Sequence, residues 1–467
     1  MTSERPFTPP GALPDIPLGE PHGFEFIAVA DWCRAAVDAS DCMAHPRTWL
    51  PLFEPGSVDG SRFRPPDGLS YRSGSMPQPP PKPTATASTI EVVQKNLRRL
   101  TKRRATLDDL LSKTSPNIGL SAHDIMSGDV RASGSLVANL GPAFVIASSL
   151  IILVRQNLAL TEGFGDAMSM RHQRANWPKA HYYPASIVGL DRGRPYLTRT
   201  NAYTLDRTPP MVVDEPCVYL SVRQDDRNPY HWIFETLPRL KCLQVIPELR
   251  DLPFLMRDPP TVFQRAFLDW MGVKNRILVS DGRNISCRNL VFPSIPYPPP
   301  LHGQTIAWLK AEILGGQPLP SRSSRRRILI SRCDGGNGRR VVNEDELAHR
   351  LAAFGFERLT LSEMEPAEQI RAFRESEIVV LPHGAAGALL LFAPNDCRVV
   401  ELQSPRQLNS LYFVLSRMMG QEHSVLLGKG SGRTNDYFID PDELAVLVAS
   451  NATPSSATDS ATASTPL

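Results

Sequence analysis

The sequence predicts an α/β protein whose C-terminal third is a parallel sheet covered by helices on both faces. Three observations predict it. Between residues 327 and 402, short apolar runs alternate with helical runs. The apolar runs are nearly continuous, as in strands buried on both faces, and do not alternate with polar residues. The helical runs carry their own start and stop signals.

Arg327-Ile328-Leu329-Ile330-Ser331 reads as the first strand. Residues 343–353 read as a helix, with Asn343 as N-cap, Glu346 three residues on, and Gly355 as the stop. Arg358-Leu359-Thr360-Leu361 is the second strand, and residues 366–374 are a helix with Pro366 near its first position. Glu377-Ile378-Val379-Val380-Leu381 is the third strand, followed by a glycine-bearing turn and an apolar helix to Phe392. Arg398-Val399-Val400-Glu401-Leu402 is the fourth. Sheets of this kind bind ligands at the carboxyl ends of their strands.

The rest of the chain is punctuated by proline, with 44 residues in 467. Residues 1–75 read as an N-terminal extension or small accessory unit. Residues 76–117 read as a proline-rich linker and a basic helical stretch, and residues 118–314 as a domain of alternating strands and helices. The C-terminal domain spans 325–449, and the Ser/Thr/Ala/Pro tail 450–467 is expected to be disordered. The apolar stretch 136–154 has the length of a membrane span, but Asn139, Gly141, Pro142, Ser148 and Ser149 interrupt it. It reads as two buried strands joined by a turn.

Hydrophobic residues make up 42%, enough for sizeable cores, and the formal net charge is +3. That balance does not call for nucleic acid as a partner. The seven cysteines are odd in number and scattered, without a C-x-x-C. This argues against a disulfide framework and a structural zinc site, and for a reducing compartment. With no basic-then-apolar pattern at the N-terminus, a cytoplasmic location is expected, with loose peripheral association at the inner face of a membrane left open.

The strand-end rule selects the candidate site. After the first strand comes Ser331-Arg332-Cys333-Asp334-Gly335-Gly336-Asn337-Gly338-Arg339-Arg340, a glycine-rich loop with an arginine at each end. Glycines let the backbone approach a ligand, arginines grip phosphate oxygens, and a helix N-terminus favours an anion. The loop is neither a P-loop nor a G-x-G-x-x-G. His383 and Gly384 sit at the turn after the third strand. Glu401, in the fourth, reads as an acceptor for ribose hydroxyls or as a surface ion-pair partner. In the middle domain, Asn228 and Pro229 start a short helix in which His231 and Glu235 are four apart and share a face. This is the pairing of a general base with its orienting carboxylate. Pro238 must end or kink that helix after Leu237. Asp440-Pro441-Asp442-Glu443 resembles a metal motif but reads better as a helix start. No cofactor is obligatory on this reading; a divalent metal stays open, without a motif.

The segment N-P-Y-H-W-I-F-E-T-L-P-R-L, then S-R and R-R-V-V-N-E-D-E-L, then E-Q-I, I-V-V-L-P-H-G-A and V-V-E-L, resembles glycosyltransferase family 61 in order and spacing over about residues 228–402. The resemblance implies two Rossmann-like domains facing a cleft, the arrangement called GT-B, and an inverting transfer from a UDP-sugar to a glycan or capsular-type polysaccharide. It puts Arg332, Arg340 and Asn343 at the donor diphosphate and His383 and Gly384 against the nucleotide; Arg339, from the loop reading, is a further candidate for the diphosphate. His231 and Glu235 would face the acceptor. The family often has an Asn after the H-G-A turn, whereas here the run is Ala386-Gly387-Ala388-Leu389-Leu390-Leu391-Phe392. A non-catalytic nucleotide- or glycan-binding scaffold is the alternative. An epimerase or dehydrogenase is disfavoured by the missing G-x-G-x-x-G.

Overall fold

The computed structural model describes residues 209–221, 227–295, 301–334, 338–430 and 435–449, and before residue 209 only shorter pieces, among them 49–54, 134–146 and 151–155. The linker, nearly all of the basic stretch after it, most of residues 1–75, the tail from 450 and Gly335-Gly336-Asn337 lie outside the described residues, as do Asp225-Asp226 and the proline run 296–300. Among the described residues, three larger sheets organise the chain.

The strands of the middle region are β1 (Met211–Val213), β2 (Cys217–Tyr219), β3 (Phe254–Met256), β4 (Ile277–Val279), β5 (Ile285–Cys287) and β6 (Leu290–Pro293). Four of them form a parallel core in the order β4-β3-β2-β6. That is the 3-2-1-4 order of a Rossmann half, with its topological switch between β2 and β6. Ser135–Asn139 and Trp49–Phe53 extend the sheet antiparallel. Strands β1 and β5 belong to a second sheet with Ala143–Ile146 and Ile151–Arg155, in which antiparallel pairing predominates.

The stretch 136–154 is therefore three strands rather than two, shared between two sheets. Gly141, at φ +66°, turns the chain from one sheet to the other, in a conformation that L side chains rarely adopt. No helix among the described residues is long and apolar enough to cross a membrane.

The C-terminal region contains β7 (Arg326–Ile330), β8 (Phe356–Leu359), β9 (Ser376–Pro382), β10 (Arg398–Gln403) and β11 (Glu422–Leu427). All pair in parallel, in the order β8-β7-β9-β10-β11. This is a doubly wound order whose switch point lies between β7 and β9. The helices are α1 (Val262–Trp270), α2 (Gly303–Leu314), α3 (Glu344–Ala352), α4 (Pro366–Arg374), α5 (Leu411–Met418) and α6 (Pro441–Ala449).

Two-residue periodicity decides how the sheets stack. Val218, Phe254, Met256 and Val291 face one apolar cluster, while Tyr219, Leu255, Leu290 and Phe292 face another that packs on the second sheet. In the C-terminal sheet Ile328, Ile330, Val379, Leu381 and Val399 join the first of these clusters. Leu329, Ile378, Val380 and Val400 face outward onto α3 and α6. One helical layer thus lies between the two parallel sheets, and its apolar core is continuous from Trp232 to Leu391.

Local chemistry explains the helix ends. Asp440 accepts hydrogen bonds from the Asp442 and Glu443 backbone N–H groups at 3.1 and 3.3 Å, so the acidic run is a helix start as expected. Asn343 precedes α3 but does not cap it. Its amide is committed to Ile439, donating to that carbonyl at 2.8 Å and accepting from that N–H at 3.1 Å. Residues 385–392, expected as a helix, form a 3-10 helix.

Candidate functional site

A cavity of about 310 Å³ opens at the carboxyl edge of the C-terminal sheet. Ile330, Ser331 and Arg332 line it after β7, and Pro382, Ala385 and Ala386 after β9. These are the two strands that flank the switch point. Pro229 and Phe263 from the middle region close the opposite wall. The helical turn at 229–231 packs directly on residues 385–392. Of the site residues expected from the sequence, Arg332 is the one in the cavity wall.

The start of the loop is fixed by Glu344, in the first turn of α3. Its carboxylate accepts from the Ser331 hydroxyl and, at 3.1 Å, from the Arg332 N–H. The Arg332 side chain makes no ion pair among the described residues, and its Nε is buried without a partner. Burial, and then the charge of Arg339, lower its pKa. A cation so placed is stabilised by an incoming anion. Gly384 lies against it: a Cβ there would overlap Nη1 and sit 3.1 Å from Cζ. Gly384 has φ 175°, ordinary extended backbone, so its requirement is space.

Arg339 adopts φ +65° after Gly338 at +71°, a tight turn that returns the chain towards Tyr437. Arg340 lies farther out. It is paired with Asp436 at 3.4 Å, and its backbone N–H donates to the same carboxylate at 2.9 Å. With Asn343 tied to Ile439, the structure does not bring Arg340 or Asn343 to the cavity.

His383 is nearly buried, and its Nδ1 lies 2.6 Å from Glu401 Oε1. Glu401 is fully buried, not a surface group, and its other oxygen is met by His423 Nε2 at 3.2 Å and Gln403 Nε2 at 2.9 Å. Burial alone would raise its pKa, but the two imidazoles bring it down to about 2. With both oxygens engaged inside the protein, Glu401 reaches a ligand only through His383.

Asn228 caps the turn at Pro229–His231 by accepting from the Tyr230 N–H at 2.9 Å, as expected. His231 Nδ1 then meets Glu235 Oε2 at 3.0 Å, so the i,i+4 pair forms, and it is almost wholly buried. The helix does not end at Pro238. It widens to a π turn over Trp232–Thr236 and tightens to a 3-10 turn over Leu237–Lys241, because proline supplies no N–H to continue the α pattern. Arg239, one turn beyond Glu235, is fully buried. Its Nη1 donates to the Tyr219 carbonyl at 3.4 Å, and its guanidinium lies over the Phe292 ring. Burial lowers its pKa to about 10 against the opposing pull of Glu235.

Sequence reasoning missed Arg239, His423, Gln403 and Gln369. Arg239 repeats the four-residue spacing of His231 and Glu235, a signal that was present. Gln369 lines the cavity and holds its wall by donating to the Leu361 and Met364 carbonyls at 2.9 and 3.1 Å. His423 and Gln403 reach Glu401 through sheet pairing and short return contacts that no local pattern announces. Among the described residues, no cluster of three or more His, Cys, Asp or Glu is arranged to hold a metal ion.

Comparison with known families agrees with the motif order. Residues 230–400 match the family model described as Glycosyltransferase 61, within two residues of the limits set by the motifs. That stretch runs from the His231 turn through the Arg332 loop to β10, so the similarity to glycosyltransferases covers the elements that line the cavity. No curated protein matches the chain.

Proposed function

We propose that the protein is an inverting glycosyltransferase of GT-B type that moves a sugar from a nucleotide-diphosphate donor, a UDP-sugar by family resemblance, to a glycan acceptor. The observation that carries the reading is Arg332: a guanidinium without a carboxylate partner among the described residues, in a cavity wall at the sheet's switch point. Two parallel-stranded sheets with a helical layer between them also suit a two-domain transferase.

In the proposed step the acceptor oxygen attacks the anomeric carbon as the bond to the diphosphate oxygen breaks. The bonding pair leaves on the diphosphate, whose charge is met by Arg332 and Arg339. The hydroxyl proton passes to Nε2 of His231, while Nδ1 faces Glu235 Oε2 at 3.0 Å. Gly384 serves the donor side by making room for Arg332, and His383 by the ring nitrogen that Glu401 does not engage, whereas Arg340 and Asn343 are held away by Asp436 and Ile439. Glycan chains of capsular type suit the acceptor side, and a cytoplasmic enzyme working beside a membrane-bound acceptor suits this chemistry.

The test is transfer or donor hydrolysis with purified full-length protein across UDP-, GDP-, CDP- and TDP-sugars, with and without divalent metal. Release of one nucleoside diphosphate with inversion at the anomeric carbon supports the proposal. Nucleotide binding without turnover assigns the chain to the non-catalytic alternative.

A further inference from the structure

The turn that carries His383 is fixed from behind by a buried polar chain. Glu401 lies in β10, beside both β9 and β11. Oε1 meets Nδ1 of His383 at 2.6 Å, and Oε2 meets Nε2 of His423 at 3.2 Å. Nδ1 of His423 lies 2.9 Å from the Ser416 hydroxyl of α5, and the His423 ring packs edge-on against Phe413. Gln403 donates to Oε2 at 2.9 Å and to the Asn409 carbonyl at 2.7 Å.

No surface of Glu401 is exposed. A carboxylate in such a place must be matched by donors or take up a proton. Here it stays ionised, because two imidazole nitrogens and an amide surround it. The other charged or titratable groups around this centre are the Tyr412 and Tyr437 hydroxyls, both pushed up by burial, and beyond them Arg332 and Arg339. The Tyr412 ring lies 5.2 Å from that of His383.

An ionised Glu401 at 2.6 Å makes Nδ1 of His383 the proton-bearing nitrogen, since a carboxylate only accepts. Nε2 of His383 is then the nitrogen that Glu401 does not engage, in a turn whose neighbouring residues Pro382 and Ala385 line the cavity.

We infer that Glu401 and His423 are positioning residues that hold the His383 proton on Nδ1 and present Nε2 to the donor. The ligand in this statement rests on the transferase reading; the tautomer does not. Neutral, Nε2 accepts from a sugar or ribose hydroxyl. Protonated, it donates to a diphosphate oxygen without turning the ring. His423 keeps Glu401 from rotating away, and Ser416 keeps His423 in register.

The experiment is nitrogen-15 NMR of the histidine rings in the full chain at alkaline pH, with His383 assigned by its loss in His383→Gln. The expected wild-type spectrum has the His383 proton on Nδ1. In Glu401→Gln the proton moves to Nε2 or divides between the nitrogens, and kcat/KM for the donor falls about 10–100-fold, the scale for loss of a group that orients a ligand-binding histidine. His423→Gln, which keeps a donor to Oε2, retains more activity than His423→Phe.

A proton on Nε2 in the wild type, or a His383 tautomer unchanged in Glu401→Gln, overturns the inference, since a merely structural network would shift only the melting midpoint. If Glu401→Gln does not fold, the wild-type spectrum alone decides. Failure of the transferase reading shows separately, as wild-type protein that binds no uridine diphosphate whatever the tautomer of His383.

Discussion

Arg332 and Gly384 share one space: a side chain on residue 384 would overlap the guanidinium that lines the cavity. The two residues end neighbouring parallel strands, β7 and β9, so the sheet's strand order creates the contact. Gly384→Ala is therefore expected to displace Arg332 while leaving the extended backbone unstrained. Donor kcat/KM should fall about 100-fold, the scale of a misplacement near 1 Å, with little change in melting temperature. Steady-state kinetics beside a thermal melt checks both halves.

Gly387 is the contrasting glycine of the same turn. A Cβ there would lie 2.6 Å from the Tyr412 ring, in a fully packed layer. Gly387→Ala should lower folding stability by about 1–3 kcal/mol, the usual cost of overpacking a core. Urea denaturation measures it, and an unchanged midpoint would contradict the packing described.

Acid should weaken the fold through Glu401. Its folded-state pKa of about 2 lies below the ordinary carboxylate value, so its contribution is fully present above that ordinary value and is lost as pH falls towards 2. The shift corresponds to about 3 kcal/mol. Glu401→Gln should be less stable than wild type at pH 7, and the gap should close as the pH is lowered from about 4.5 towards 2. Parallel urea titrations at several pH values decide it.

His231 and Glu235 are expected to serve the chemical step. His231→Gln should reduce kcat by about 10²–10⁴-fold, the range for loss of a general base, and leave uridine diphosphate affinity close to wild type. Single-turnover transfer together with equilibrium binding separates the two effects. Equal losses in both would move His231 to the donor site.

The C-terminal sheet was legible because three of its first four strands are short apolar runs; the second, Phe356-Glu357-Arg358-Leu359, mixes polar residues in and starts two residues before the expected Arg358. Helix α4 matches its expected limits residue for residue. β11 was hidden by its polar opening, Glu422-His423-Ser424, so His423 was not considered. The second sheet was hidden for another reason: its strands are three to five residues long and pair across wide separations, as Ile285 does with Val145. The loop arginines were found by position, but their fates depend on distant residues. Asp436 takes Arg340 and Ile439 takes Asn343, whereas Arg332 stands in the cavity wall with no carboxylate partner among the described residues. Likewise the H-G-A turn marked Gly384 as special without revealing that the space it leaves belongs to Arg332.

The most direct test of the donor-site assignment is titration calorimetry of uridine diphosphate into wild-type protein and Arg332→Ala. Saturable 1:1 binding that weakens at least about tenfold in the variant, the scale of one charge-assisted contact, is the predicted result. Equal affinity in the two proteins, or no binding of any nucleoside diphosphate to the wild type, would contradict it.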